Sequence, residues 1–213
     1  MTSRLAAVTY DALDPERLTA FWDALVPSAE HQVALRFVAG TPPAPGTRTL
    51  HLHLTSESAE HQRATVDQAL ALGGSHLDVG QRPDEGHVVL ADPEGNAFCV
   101  IEPGNSYLAG TGFLGEVACD GSRAVGVFWS EALGWPLVWD EDGETAVQSP
   151  HGGTKVAWGG GPETAKLGRN PQRFTIGADE AEVERLLGLG ATRLSEHELA
   201  DPDGNEVELV PPS

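Results

Sequence analysis

Two histidines one residue apart, His51 and His53, stand in the stretch TLHLHL (49–54). In an extended chain, residues i and i+2 project from one face, so both imidazoles are presented together, as in many transition-metal sites. A metal needs a third and usually a fourth donor. A second reading keeps one ring packed or hydrogen-bonded and lets the other line a ligand cavity. Four of the five tryptophans, Trp129, Trp135, Trp139 and Trp158, fall in the second half of the chain. Trp129 follows a helical spacing and reads as core. Trp135 and Trp139 border a strand-like stretch, so aromatic rings there either clamp a flat or apolar ligand or pack inside. The run WGGGPE (158–163) lacks the spacing of a phosphate loop and reads as the rim of a cavity. No Gly-x-Ser-x-Gly elbow supports a hydrolase triad, and Cys119 reads as a buried thiol rather than a nucleophile.

The elements that position these residues are written twice. LADPEGNAFCVIEP (90–103) and LADPDGNEVELVPP (199–212) lie 109 residues apart and place Cys99 opposite Glu208. Phe21-Trp22 is echoed by Phe128-Trp129, and LALGG (70–74) by LGLGA (187–191). The same order of landmarks in both halves marks an internal duplication. Asp14-Pro15-Glu16 supplies an N-cap, a first-turn proline and an acid, after which Leu18, Phe21, Trp22 and Leu25 share a helical face. Val125, Phe128, Trp129 and Ala132 repeat that spacing, with Gly134 as its stop. A second helix in each half runs from Ser58 to Leu72 and from Asp179 to Leu189. Strands are expected at 33–38, 49–54, 87–91, 136–139, 145–148, 154–158 and 173–177. Asp-Pro-x-Gly reads as a type I turn entering the closing strand of each half. In that strand Glu206 and Glu208 face one way, and Ala97, Cys99 and Ile101 take the equivalent face.

This combination, an early FW…AL helix, a second helix ending in LG(G/A), and a DP(E/D)GN turn before the last strand, resembles the vicinal oxygen chelate superfamily. That group contains glyoxalase I, extradiol dioxygenases and the fosfomycin- and bleomycin-resistance proteins. The resemblance covers nearly the whole chain and implies an α+β protein of two tandem glyoxalase-like domains, 1–106 and 107–213. Each domain is expected to consist of paired βαβββ units whose curved mixed sheets surround a cavity. Metal-dependent members hold one divalent ion with residues on the first and last strands of the units. Carried over residue by residue, those positions in the first half resemble Ala7, His51 and Cys99. In the second half they resemble Glu116, Arg173 (or Gln172, one register away) and Glu208. The resemblance therefore implies a site in the C-terminal domain, with Glu116 and Glu208 as catalytic groups or metal ligands and Gln172 as a further ligand. Arginine offers only donors and cannot ligate an ion, so Arg173 between the two carboxylates would replace a metal electrostatically. A divalent ion (Zn, Ni, Fe, Mn or Mg) and a metal-free site both remain open.

Composition narrows the partners. With 13 Lys+Arg against 32 Asp+Glu, the net charge is −19, which opposes binding to nucleic acid or to an anionic membrane surface. The chain lacks an apolar run long enough to span a bilayer and a signal-like N-terminal pattern, so a cytoplasmic monomer or homodimer is expected. There, Cys99 and Cys119 are expected as thiols. The function expected is small-molecule binding, with metal-assisted lyase, isomerase or dioxygenase-type chemistry. The alternative is a metal-free protein that sequesters a drug or metabolite.

Overall fold

The computed structural model describes residues 3–41, 50–82, 84–160, 166 and 168–212. Among them the chain forms β1 (Arg4–Ala12), α1 (Pro15–Leu25), β2 (Leu35–Ala39), β3 (Leu50–Leu54), α2 (Ala59–Ala71), β4 (Ser75–His76), β5 (Val88–Ala91) and β6 (Ala97–Val100). The second half repeats this with β7 (Leu114–Gly121), α3 (Arg123–Leu133), β8 (Leu137–Glu141), β9 (Glu144–Gln148), β10 (Lys155–Gly160), β11 (Gln172–Gly177), α4 (Glu180–Gly188), β12 (Thr192–Ser195), β13 (Glu198–Ala200) and β14 (Glu206–Val210). The first residue of the strand expected at 49–54 lies outside the described residues. Part of the glycine-rich run at 158–163 also lies outside them. No helix among the described residues is long and apolar enough to cross a membrane.

Each helix begins where its sequence offers a side-chain acceptor to an unpaired backbone N–H. Asp14, Ser58, Ser122 and Asp179 accept from the third residue onward, and Gly134 ends α3 in the left-handed conformation at φ 66°. Helix α1 buries Leu18, Phe21, Trp22 and Leu25, and α3 buries Val125, Phe128, Trp129 and Ala132. One apolar cluster joins these helix faces to Leu52, Leu54, Val117, Val156, Phe174 and Val207 on the strands.

The fold is α+β, with mixed, curved, unclosed sheets, as the duplicated sequence predicts. Strand pairing, however, crosses between the halves. The six-stranded sheet has the order β12-β13-β14-β11-β1-β2, and the eight-stranded sheet β4-β5-β6-β3-β7-β10-β9-β8. Within each half the two units therefore contribute to different sheets, and β1 pairs with β11 while β3 pairs with β7, both antiparallel.

The repeated Asp-Pro-x-Gly-Asn phrase holds the two units of a half together. Gly95 N donates to Asp92 O at 3.0 Å and Gly204 N to Asp201 O at 2.8 Å, closing the expected turns. Asp92 then accepts from the backbone of Glu94 and Asn96 and, at 3.2 Å, from the Trp22 indole on α1. Asp201 accepts from Asp203, Asn205 and, at 3.4 Å, the Trp129 indole on α3. The variable residue of each phrase does a matching job. Glu94 accepts from Leu13 N and Asp14 N ahead of α1, and Asp203 from Ser122 N ahead of α3.

Candidate functional site

Alternation along the strands decides what each sheet shows on the face away from its helices. On β3, Leu50, Leu52 and Leu54 are buried, so His51 and His53 project to the other side. Register then sets their neighbours: His53 lies opposite Cys99 on β6 and opposite Glu116 on β7, and Glu116 lies opposite Lys155 on β10. A single cross-strand row, Cys99–His53–Glu116–Lys155, is the result.

These side chains are tightly connected. His53 Nδ1 stands 2.6 Å from Glu116 Oε2, and the Tyr107 hydroxyl donates to Glu116 Oε1 at 2.6 Å. The Lys155 ammonium donates to the Tyr107 carbonyl and sits 4.3 Å from the centroid of the Tyr107 ring. The rings of His51 and His53 are 4.8 Å apart, and the ligating atoms of His51, His53 and Cys99 all lie within 4.8 Å of one another. Burial opposes charging of His53, but hydrogen bonds to Cys99 and Glu116 outweigh it and raise its pKa to about 9. Burial and the neighbouring His53 push His51 the other way, down to about 4, so it is a neutral imidazole at physiological pH. Glu116 is pulled below its usual range because His53 and the Tyr107 hydroxyl overcome its desolvation. Burial and the Glu116 carboxylate hold the Tyr107 phenol far above its ordinary value, so it remains an O–H donor.

Beside the row lies a cavity of about 510 Å³ lined by His51, His53, Tyr107, Glu116, Trp139 and Glu144, among others. Its floor is made of Ala118, Ala157 and Gly159, whose small size leaves the space open. Trp158 also borders it but is 2% exposed and stacks on Trp129, so it is mainly a wall of the core. Trp139, at 39% exposed, presents its ring to the mouth. Trp135 packs against the apolar core instead.

The six-stranded sheet carries a cluster of different chemistry, spread over two adjacent cross-strand rows. Glu208 lies opposite Thr175, and Thr9 opposite Arg36. Thr175 donates to Glu208 at 3.1 Å, the two threonine hydroxyls are 2.6 Å apart, Arg36 Nε donates to Thr9 at 3.0 Å, and the Arg36 guanidinium closes the ring on Glu208. Arg173 donates to Asp11 at 2.8 Å and keeps its Nε 3.7 Å from Glu208. Glu208 is thus paired with the Arg36 guanidinium and Asp11 with that of Arg173.

The structure does not bring Glu116 and Glu208 together, because β7 and β14 belong to different sheets. Arg173 joins Glu208 but not Glu116. Gln172 turns away from both: it accepts from Leu50 N at 3.0 Å and donates to Asn96 at 3.2 Å, tying β11 to β3 and to the first Asp-Pro turn. The cavity beside Glu116 takes residues from both halves rather than from the C-terminal one alone. Cys99 and Cys119 are free thiols. Sequence reasoning missed Tyr107, Lys155, Glu144 and Arg36. Lys155 left a signal, a charged residue alternating with buried Val156 and Trp158. Tyr107 left none, since it sits in the turn-rich linker.

Comparison with known proteins agrees with this architecture. The model of a glyoxalase-like domain matches residues 7–101 and again 116–210. No curated protein matches the chain. Among solved structures, a V278E mutant of glyoxalase I from Zea mays superposes with a TM-score of 0.66 at 16% identity, covering 99% of this chain and 92% of that one. Glyoxalase I from Zea mays gives 0.63 at 14% identity, with 99% and 92% covered. A putative dioxygenase from Bacillus subtilis gives 0.55 at 11%, with 98% and 84% covered. The chain belongs to the glyoxalase-like domain family of the vicinal oxygen chelate superfamily, with two copies of the domain in tandem.

Proposed function

We propose that this protein binds a small molecule in the cavity of the eight-stranded sheet and acts on it with the help of one divalent metal ion. The observation that carries this reading is the convergence of His51, His53 and Cys99 within 4.8 Å beside that cavity. Two imidazoles and a thiol form a donor set that suits zinc or ferrous iron. His51 is neutral and able to ligate. The Nδ1 of His53 is engaged by Glu116, so an ion would bind at Nε2 by displacing the proton that the Glu116 and Cys99 hydrogen bonds now favour, which makes metal uptake pH-dependent. Glu116 then orients the ligand imidazole, and Tyr107 fixes Glu116 in turn, the support that metal-bound histidines commonly receive. Such an ion supplies Lewis-acid polarisation of a substrate oxygen, the basis of lyase, isomerase or dioxygenase-type reactions. Within the cavity, Glu116 is the carboxylate placed to hold or move a proton, and Tyr107 keeps its own proton available as a donor.

A metal-free binding protein is the second reading, favoured by the His53–Glu116 pair, which satisfies both charges without an ion. Metal analysis of the purified full chain separates the two. About one equivalent of zinc or iron, lost in both His51→Ala and Cys99→Ala while the proteins stay folded, supports the metal reading. A wild-type protein that takes up no divalent ion under any loading condition contradicts it.

A further inference from the structure

The mouth of the cavity has a charge preference that its inner end does not set. No lysine or arginine lines the cavity among the described residues. Of the positive groups nearby, His53 is paired with Glu116, and the Lys155 ammonium is turned to the Tyr107 carbonyl and ring with the Glu116 carboxylate as its counter-charge. Glu144, exposed at the start of β9, makes no ion pair among the described residues, yet its charge reaches the Tyr107 phenol. Its carboxylate lies over Gly159, where an added Cβ would come within 3.3 Å of Oε1, so the glycine lets the side chain settle along the cavity. On the neighbouring strand β8, Trp139 meets Tyr107 at 87° with ring centroids 5.7 Å apart, a corner that leaves Trp139 39% exposed.

We propose that Trp139 and Glu144, with Tyr107 packed edge-on against the indole, form a subsite for an organic cation, a protonated or quaternary amine carried by an aromatic ligand. This rests on the reading of the cavity as the ligand site. The indole is the strongest neutral partner for a cation, and a carboxylate beside it adds charge that an uncharged ligand does not use. An anionic ligand would meet the Glu144 carboxylate, whereas no lysine or arginine lines the cavity among the described residues. The overall charge of −19 favours the approach of the same ligands.

Calorimetric titration of the full chain with two probes of one shape tests the subsite: 4-hydroxyphenyltrimethylammonium and its neutral counterpart 4-tert-butylphenol. The cation is expected to bind about tenfold more tightly, to lose most of that advantage in Glu144→Gln, and to weaken in Trp139→Ala. Both positions are exposed, so neither substitution threatens the fold. The neutral probe is expected to be indifferent to Glu144→Gln. Ala157→Leu, which fills the cavity floor, reports separately whether the probes enter it. Equal affinities for the two probes, both weakened by Ala157→Leu, overturn the cation subsite and leave the cavity as a ligand site. A charge preference that survives Glu144→Gln overturns the subsite as well. Binding of neither probe, or binding untouched by Ala157→Leu, overturns the subsite together with the cavity reading.

Discussion

His53 has a thiol on one neighbouring strand and a carboxylate on the other, and this pairing comes from strand register rather than from loops. The second sheet holds Glu208, Thr175, Thr9 and Arg36 in two adjacent rows, so two similar backbones carry opposite chemistry. One cluster offers soft donors beside a cavity, while the other is closed by its own ion pair. A different ion pair, away from both clusters, gives the clearest pH test at the scale of single residues. Glu182 on α4 accepts from Ser3 Oγ at 2.6 Å and from Arg185 at 2.6 and 2.9 Å. Burial opposes ionisation, but these partners hold its carboxyl below the usual glutamate range. A depressed folded-state value stabilises the fold above the unfolded value near pH 4.5, and that contribution disappears as pH falls through the folded value. Glu182→Gln is therefore expected to lose about 1 kcal/mol in urea unfolding at pH 7, a deficit that shrinks below pH 4.5. A deficit that stays constant down to pH 3 would contradict the assignment.

Helices and turns were the most legible elements, because their signals are local. Asp14-Pro15, Gly134 and the two Asp-Pro-x-Gly-Asn phrases each state their structure within five residues. What the phrases could not state is that Asp92 and Asp201 reach the indoles of Trp22 and Trp129, residues some 70 positions earlier in the chain. The two landmarks of the duplication are thus hydrogen-bond partners. Close approach of elements was equally hidden from sequence. Gly126 lies in the middle of α3, where alanine is ordinarily better by about 1 kcal/mol. Here an added Cβ would fall 1.9 Å from Thr145 Oγ1 and 2.6 Å from its Cβ on β9. Gly126→Ala is accordingly expected to destabilise the protein by roughly 1–3 kcal/mol in denaturant unfolding. Stabilisation instead would show that α3 does not pack so closely.

At the scale of the molecule, the halves exchange their sheets. The duplication was plain in sequence, yet sequence order alone does not reveal that β3 pairs with β7 and β1 with β11. That is why Glu116 and Glu208, one on the first strand and one on the last strand of the same half, stand in separate sites, and why His51, His53 and Glu116 share one. Cut at 106, each half would expose the unpaired edges of two sheets, β1 and β3 in the first and β7 and β11 in the second. Isolated 1–106 and 107–213 are expected to be unfolded or self-associated, and to form a 1:1 complex with cooperative unfolding when mixed. A folded monomeric half would contradict this exchange of strands. Assembly of one metal-assisted site from β3 and β6 of the first half and β7 of the second is open to test by cobalt(II) titration followed by absorbance. A saturable thiolate-to-cobalt charge-transfer band at about one equivalent is expected, absent in Cys99→Ser and weakened in Glu116→Gln. A wild-type spectrum without that band, or a band that persists in Cys99→Ser, would contradict it.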